Sequence, residues 1–312
     1  MNPPAFNQTP PPRAQGEGNG PGAAAGRAGF VDLHLHTLFS DGTFTPEELA
    51  NRGARAGLVA MALTDHDTVE GCARMAQACQ TLGMEFVSGT ELTAQFEGNE
   101  VHLLGYFLQV DHPHLLSEMK KFQTVRQDRI REMAARLNKV GVPLRAESVF
   151  ELANCHSPGR PHVGRALVLE GLCGSMEEAF EKYLKKGRPA WVPKYKISAT
   201  DAIELIHAAN GLAVLAHPAL NHNDQLIPRL AEQGLDGLEC FHTRHNPGMP
   251  ERYMQMAHRL KLAVTGGSDC HGYSKGKPLI GGVKLAAVYL EKLKEVHQLR
   301  GRRAPAPGVQ SA

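Results

Sequence analysis

Short apolar runs alternate with amphipathic ones along most of the chain. Runs of strand character occur at "FVDLHLH", "LVAMALTDH", "MEFVSGTELTAQF", "NEVHLLGYFL", "LAVLAHP", "DGLECF" and "LAVTGGSDCH". Helical spacing follows most of them, as in "TPEELANRGARAG", "TVEGCARMAQACQTLG", "DAIELIHAANG" and "PERYMQMAHRLK". Strand–helix alternation predicts parallel strands covered by helices. Thr45-Pro46-Glu47-Glu48 reads as a capping box with proline at the first helical position, and Ser198 with Asp201 as a similar helix start. From about His112 to Lys196 no clear strand is present. "SEMKKFQTVRQDRIREMAARLNKVG" predicts a long, charged, amphipathic helix there and "SMEEAFEKYLKKG" a shorter one. The pattern therefore predicts an α/β barrel interrupted after its fourth strand by a helical insertion.

Composition sets the boundaries. Residues 1–28 are rich in Pro, Gly and Ala and carry too little apolar material to fold, so they are expected to be a disordered tail, as are residues 300–312. The expected organisation is a barrel from 29–110 and 197–290, with 111–196 inserted as a lid or substrate domain. A length of 312 residues suits that arrangement, and a net charge of +2 makes the whole molecule no electrostatic magnet for nucleic acid or membrane. No apolar run approaches the ~20 residues of a membrane helix, and the N-terminus lacks the basic start and apolar core of a signal peptide. The six cysteines form no CxxC pair, which points to a reducing cytoplasm. No obligate protein partner is evident.

The 16 histidines change the picture. His34 and His36 stand two apart in an apolar run, so an extended chain projects them to one face, as two ligands of one ion would need. Two polar residues on a solvated face would give the same spacing. The pattern recurs: Asp65, His66 and Asp67 end one strand, Glu91 and His102 lie in others, His217 ends another, and Asp269 and His271 repeat the two-residue spacing. Each taken alone is as well explained by a hydrogen-bonded core histidine or a capping aspartate. Together they place a histidine or carboxylate on nearly every strand, and strand ends in a parallel barrel converge on one rim. Burying so many ionisable groups is costly unless divalent ions compensate, and imidazole with carboxylate suits Mn, Zn or Fe.

The motifs "DLHLHTLFSDGTFTPEEL", "ALTDHDTVEG", "GTELT", "VHLLGY", "LAHP" and "GSDCHG" resemble, in order, those of the polymerase-and-histidinol-phosphatase (PHP) family. "RPHVGRALV" and "FEKYLKKGRPAWVP" are similar to its stand-alone bacterial subgroup of nucleoside 3',5'-bisphosphate phosphatases and 5'-to-3' exoribonucleases. The resemblance implies a distorted (β/α)7 barrel with a site for two or three divalent ions, Mn first, with Fe, Zn or Mg as alternatives. It implies that His34, His36 and Asp269 bind a first ion, that Glu91 bridges it to a second held by His102 and His217, and that Asp41, His66 and His271 serve a third. The family's usual GVEIS reads GTELT here, with Glu91 kept, and Cys270 should face away from the ions.

Clustered divalent ions lower the pKa of a bridging water and neutralise phosphoryl oxygens. The expected activity is hydrolysis of the 3'-phosphate of nucleoside 3',5'-bisphosphates, with short RNA as a second substrate and no membrane partner. Arg160 is the expected phosphate clamp, assisted by His162, and His242 a leaving-group acid. A surface or cap role would equally suit Arg160. Lys185, Lys186 and Arg188 beside Trp191 and Tyr195 would hold a phosphate and stack a base, or form a solvated helix end. Most of Arg126, Arg129 and Arg131 should be solvated, with one reaching the site. His222 and His245 are further histidines near expected barrel loops. The alternatives are a histidinol-phosphate phosphatase, a polymerase-associated proofreading module and a non-catalytic metal-binding module.

Overall fold

The computed structural model describes residues 29–303. The tail expected over 1–28 and residues 304–312 of the C-terminal one lie outside these. A sheet of nine strands is assembled from β1 (Phe30–Asp32), β2 (Leu58–Leu63), β3 (Glu85–Phe96), β4 (Asn99–Tyr106), β5 (Ile197–Ser198), β6 (Leu212–Leu215), β7 (Gly237–His242), β8 (Ala263–Gly267) and β9 (Leu285–Ala286). The order is β8-β7-β6-β4-β3-β2-β1-β9, with β5 beside β3. Seven strands, β1–β4 and β6–β8, form a nearly closed barrel. Its seam joins β8 to the extended chain after β1: Leu33 N–H donates to Gly266 O (3.2 Å), Asp269 N–H to His34 O (2.9 Å) and His36 N–H to Cys270 O (3.0 Å). A Cβ on Gly267 would sit 2.4 Å from the His34 backbone nitrogen, so only glycine lets the seam close.

The helices are α1 (Pro46–Arg55), α2 (Cys72–Thr81), α3 (Pro113–Lys139), α4 (Ala146–Ala153), α5 (Arg160–Leu169), α6 (Met176–Ala179), α7 (Ala199–Ala208), α8 (Leu226–Glu232), α9 (Met249–Leu260) and α10 (Val288–Arg303). A π-helical turn, Phe180–Leu184, follows α6. The capping box at Thr45 is present with both reciprocal bonds to Glu48, and Ser198 caps α7 through Asp201 N–H.

Two expectations need correction. The barrel is not all parallel: β4 runs antiparallel to β3 and to β6. The expected C-terminal tail starts too early, because Arg300–Arg303 complete α10, whose Leu290 and Leu293 are buried against the barrel.

The long helix α3 belongs to two cores. Leu115, Met119 and Phe122 pack into the barrel's outer layer with Leu103 and Ile203. Ile130, Met133 and Leu137 pack into a separate cluster with Val149, Val163 and Leu184. Residues 113–184 thus carry helices with an apolar core of their own, held to the barrel by the first half of α3, and 185–196 return to β5 without helix or strand. At ~40 Å long, α3 is long enough to join both cores.

Candidate metal centre

The seam places His34, His36, Asp269 and His271 on one rim. The first two histidines lie just past the end of β1, in extended chain, and their rings are 5.2 Å apart. The two-residue spacing therefore acts as expected, although the strand itself is shorter. Asp41 arrives on a turn braced by Asp65, whose carboxylate accepts from Thr37 N–H (2.7 Å) and Ser40 Oγ (2.5 Å). Asp32 accepts from Ser268 N–H (2.8 Å) and fixes the approach to Asp269. Cys270 faces away, packed with Leu35 and Phe44.

Glu91 is the centre of the arrangement. Its Oε2 lies 3.4 Å from His34 Nε2, 3.3 Å from His36 Nε2 and 3.0 Å from His66 Nδ1, while Oε1 lies 2.7 Å from His102 Nδ1 and 3.1 Å from His217 Nε2. Asp269 Oδ1 lies 3.3 Å from both His36 Nε2 and His271 Nδ1. Asp41 Oδ1 lies 3.1 Å from His271 Nε2 and 3.8 Å from His66 Nε2. Every metal-binding residue expected from the sequence is thus brought to one place. The donor atoms fall into overlapping groups: His34–His36–Asp269, Glu91–His102–His217, His36–Asp41–His66–His271, and His34–Glu239–His242.

These approaches are close but poorly hydrogen-bonded. His34 Nε2, both ring nitrogens of His36, His66 Nδ1, Asp41 Oδ1 and His271 Nε2 are buried with no hydrogen-bond partner. A buried polar atom without a partner is costly, and a cation shared among them removes the cost. The donor set, imidazole and carboxylate without thiolate, fits divalent ions. Burial alone would raise the Glu91 pKa, but His66, His102 and His34 around it hold it well below the usual carboxylate range. Burial likewise opposes the charge on Asp269, and His271, His242, His36 and His34 reverse that effect. Asp269 (φ 53°) and His217 (φ 29°) have left-handed backbone, a strained state that persists where surrounding structure imposes it.

Glu239 is the residue the sequence reading missed. Its Oε1 bonds His34 Nδ1 (3.0 Å) and its Oε2 accepts from the His217 backbone N–H (2.6 Å), so it orients the His34 imidazole from behind and holds the backbone that carries His217. A buried glutamate inside the apolar run "DGLECF" was the available signal. His242, expected as an acid, lies among the cluster: Nδ1 accepts from Arg244 N–H, and Nε2 is unpartnered, 3.6 Å from Asp269 Oδ2. His245 bonds the Cys240 carbonyl through Nδ1, and His222 ends a 3-10 turn.

The cluster opens into a cleft of about 520 Å³ between the rim and the helical segment, lined on this side by buried Asp41 and half-buried His66 and His102. Its other wall is cationic: Arg126, Arg129, Arg160, Lys185, Lys194 and Arg244. Arg160 is therefore at the site, its Nη1 donating to Leu184 O (3.1 Å) and its guanidinium over the Phe180 ring. Arg126 and Arg129 were expected to be mostly solvated. Instead Arg126 bonds Asp67 (2.6 Å) and Arg129 is buried, donating to Val192 O. Burial first, then Arg160 and Arg126, lower the Arg129 pKa to about 10. Arg131 stays on the surface with Asp128. His162 does not reach the cleft as a phosphate group. It is buried, its Nδ1 accepting from Gly159 N–H at the start of α5.

The PHP domain family model matches residues 32–196. The 5'-3' exoribonuclease Rnm of Salmonella typhimurium is 32% identical over 78% of this chain and 85% of its own length. The 3',5'-nucleoside bisphosphate phosphatase of Chromobacterium violaceum is 32% identical over 80% of this chain and 90% of its own. Among solved structures, a proposed metal-dependent phosphoesterase of Bifidobacterium adolescentis superposes with a TM-score of 0.79 at 30% identity, covering 87% of this chain and 97% of that one. The chain belongs to the PHP domain family.

Proposed function

We propose that this chain is a divalent-metal phosphoesterase that removes the 3'-phosphate from nucleoside 3',5'-bisphosphates and trims short RNA from its 5' end. The observation that carries this reading is the meeting, at one cleft, of a buried imidazole–carboxylate cluster and a cationic wall. The names of the relatives support both substrates.

His34, His36 and Asp269 would hold one ion, Glu91, His102 and His217 a second, and Asp41, His66 and His271 a third. When bound, such ions make water acidic enough to serve as a nucleophile near neutral pH and offset phosphoryl charge. The side chains around them bind and orient. Arg160 and Arg129, which have no ion-pair partner among the described residues, grip the phosphate that does not react. Lys194 adds charge beside them, and Arg126, tied to Asp67, keeps the wall in place. His242 Nε2 holds the proton for the leaving oxygen. Residues 111–196 act as the lid that selects a doubly charged nucleotide. Mn is the favoured ion, with Fe, Zn and Mg alternatives for the same donor set. No helix among the described residues is long and apolar enough to cross a membrane. The unpaired cysteines fit a cytoplasmic enzyme.

The test is phosphate release from adenosine 3',5'-bisphosphate and, separately, from histidinol phosphate by Mn-loaded protein. Release from the bisphosphate alone is expected, because the cationic wall repels a cationic amine. Release from histidinol phosphate alone overturns the substrate while keeping the metal chemistry, and inactivity on both with metal bound overturns the enzymatic reading.

A further inference from the structure

Arg129, Arg160 and Lys194 line two hollows. Besides the cleft above the cluster, they wall a second groove of about 480 Å³, completed by Asn99, Lys186, Trp191 and Lys196. The two hollows adjoin at these shared cations. Glu100 also lines the groove, and it is paired with Lys194 (3.0 Å) and Lys196 (3.1 Å) while its Oε1 lies 3.5 Å from His102 Nε2. The groove thus starts one side chain away from the cluster. Lys186 is exposed, and it has no carboxylate partner among the described residues.

Trp191 is held firmly. Its carbonyl accepts from Arg136 Nη1 (2.6 Å), its N–H donates to Arg188 O (3.0 Å), and the next carbonyl, Val192 O, accepts from Arg129 Nε (3.0 Å). The indole itself is half-buried. An aromatic ring interleaved with cations is the pattern that binds single-stranded nucleic acid: the ring stacks a base and the cations hold phosphates. The first cleft is already large enough for a mononucleotide, since small-ligand pockets run from roughly 300 to 1,000 Å³. The groove is therefore surplus to a mononucleotide and continuous with its site.

We propose that the groove is the subsite for the nucleotide that follows the reacting one in an oligonucleotide, with Trp191 stacking its base and Lys186 and Lys196 holding the phosphate on its 3' side. This rests on the phosphoesterase reading above and assigns the strand's path beyond it.

Trp191 is the chain's one tryptophan, so intrinsic fluorescence reports the groove directly. The full-length Mn-loaded protein is titrated with 5'-phosphorylated phosphorothioate oligoribonucleotides three or four nucleotides long, and with adenosine 3',5'-bisphosphate. Saturable quenching by the oligonucleotides but not by the bisphosphate is expected. Lys186→Ala, at an exposed position that leaves folding intact, should weaken oligonucleotide binding and flatten its salt dependence by about one phosphate contact. Trp191→Ala should lower the ratio of kcat/KM for a trinucleotide to that for the bisphosphate by roughly tenfold, with Trp191→Phe restoring most of it. Equal quenching by the bisphosphate, or a ratio unchanged in both the Lys186 and Trp191 variants, overturns the subsite. Bisphosphate turnover without oligonucleotide quenching removes the subsite and keeps the phosphoesterase reading. Quenching without turnover of either substrate removes that reading and, with it, the subsite's place in a reaction.

Discussion

The barrel rim and the helical segment face each other across one cleft, yet their charged groups live under different conditions. At the rim, His34, His36, Glu91 and His271 are at most 2% exposed, and several of their polar atoms lack partners. Across the cleft, Arg160 and Lys194 are half-buried and Lys185 exposed, and each bonds a neighbouring carbonyl or carboxylate. Groups at the rim have no freedom to move without leaving a buried charge uncompensated. Those of the helical segment can be exchanged at modest cost. On the function proposed above, chemistry belongs to the rim and choice of substrate to the segment.

The largest test of that contrast is Asp269→Asn. It should lower turnover at least about a thousandfold, on the scale of losing a key transition-state donor. Bound metal should also fall while far-UV circular dichroism is unchanged. Full activity would remove Asp269 from the centre.

The second concerns acid stability of the helical segment. Burial first, then the nearby Arg165, lower the His162 pKa to about 4. In the unfolded chain His162 takes up its proton near pH 6.5, whereas in the folded chain it does so only near 4. Its contribution is thus fully present above pH 6.5 and is lost as pH falls from there to 4. The shift is worth about 3 kcal/mol. Urea midpoints against pH should fall over that window, and His162→Gln should flatten the fall; parallel curves would refute it.

Glu239→Gln sharpens the rim's side of the comparison. Since Glu239 bonds the His34 imidazole and the His217 backbone N–H, metal affinity should drop 10- to 100-fold, the usual cost of losing such a support. Titration calorimetry with Mn reads this, and unchanged affinity would make Glu239 a mere packing group. The smallest effect is expected from Arg160→Ala: KM up about tenfold with kcat little changed, as for loss of one charge-assisted hydrogen bond made equally in ground and transition states. A fall in kcat instead would move Arg160 to the reacting phosphate.

The two regions also differed in how far the sequence revealed them. Histidines in apolar runs are expensive, yet His34, His36 and His217 were each as well explained singly by a structural role, and became legible as a site only as a set. Glu239 obeyed the same rule and was passed over because its run contains no histidine until its end. Arg126 and Arg129 were misjudged because the helix is rich in charge. Yet they continue the spacing of Leu115, Met119, Phe122, Met133 and Leu137, the stripe that faces inward. The direction of β4 was not legible, since alternation of apolar residues is identical read either way. The two-residue strands β5 and β9 carry too little pattern to be seen, and α8 is short and contains Pro228.

That antiparallel strand has a consequence for how the fold can change. β3 and β4 are joined at Glu97 and Gly98, which have φ of 47° and 79°, with Phe96 paired to Asn99. This is a two-residue hairpin turn, of the type that demands left-handed residues. Its tip borders the Trp191 groove, while Glu91 and His102 stay anchored further down the same ladder. Lengthening the turn by a few residues costs little chain entropy and would reshape the groove without disturbing a donor atom. One loop can thus drift through evolution, or be grafted by an engineer, to retarget an unchanged hydrolytic engine.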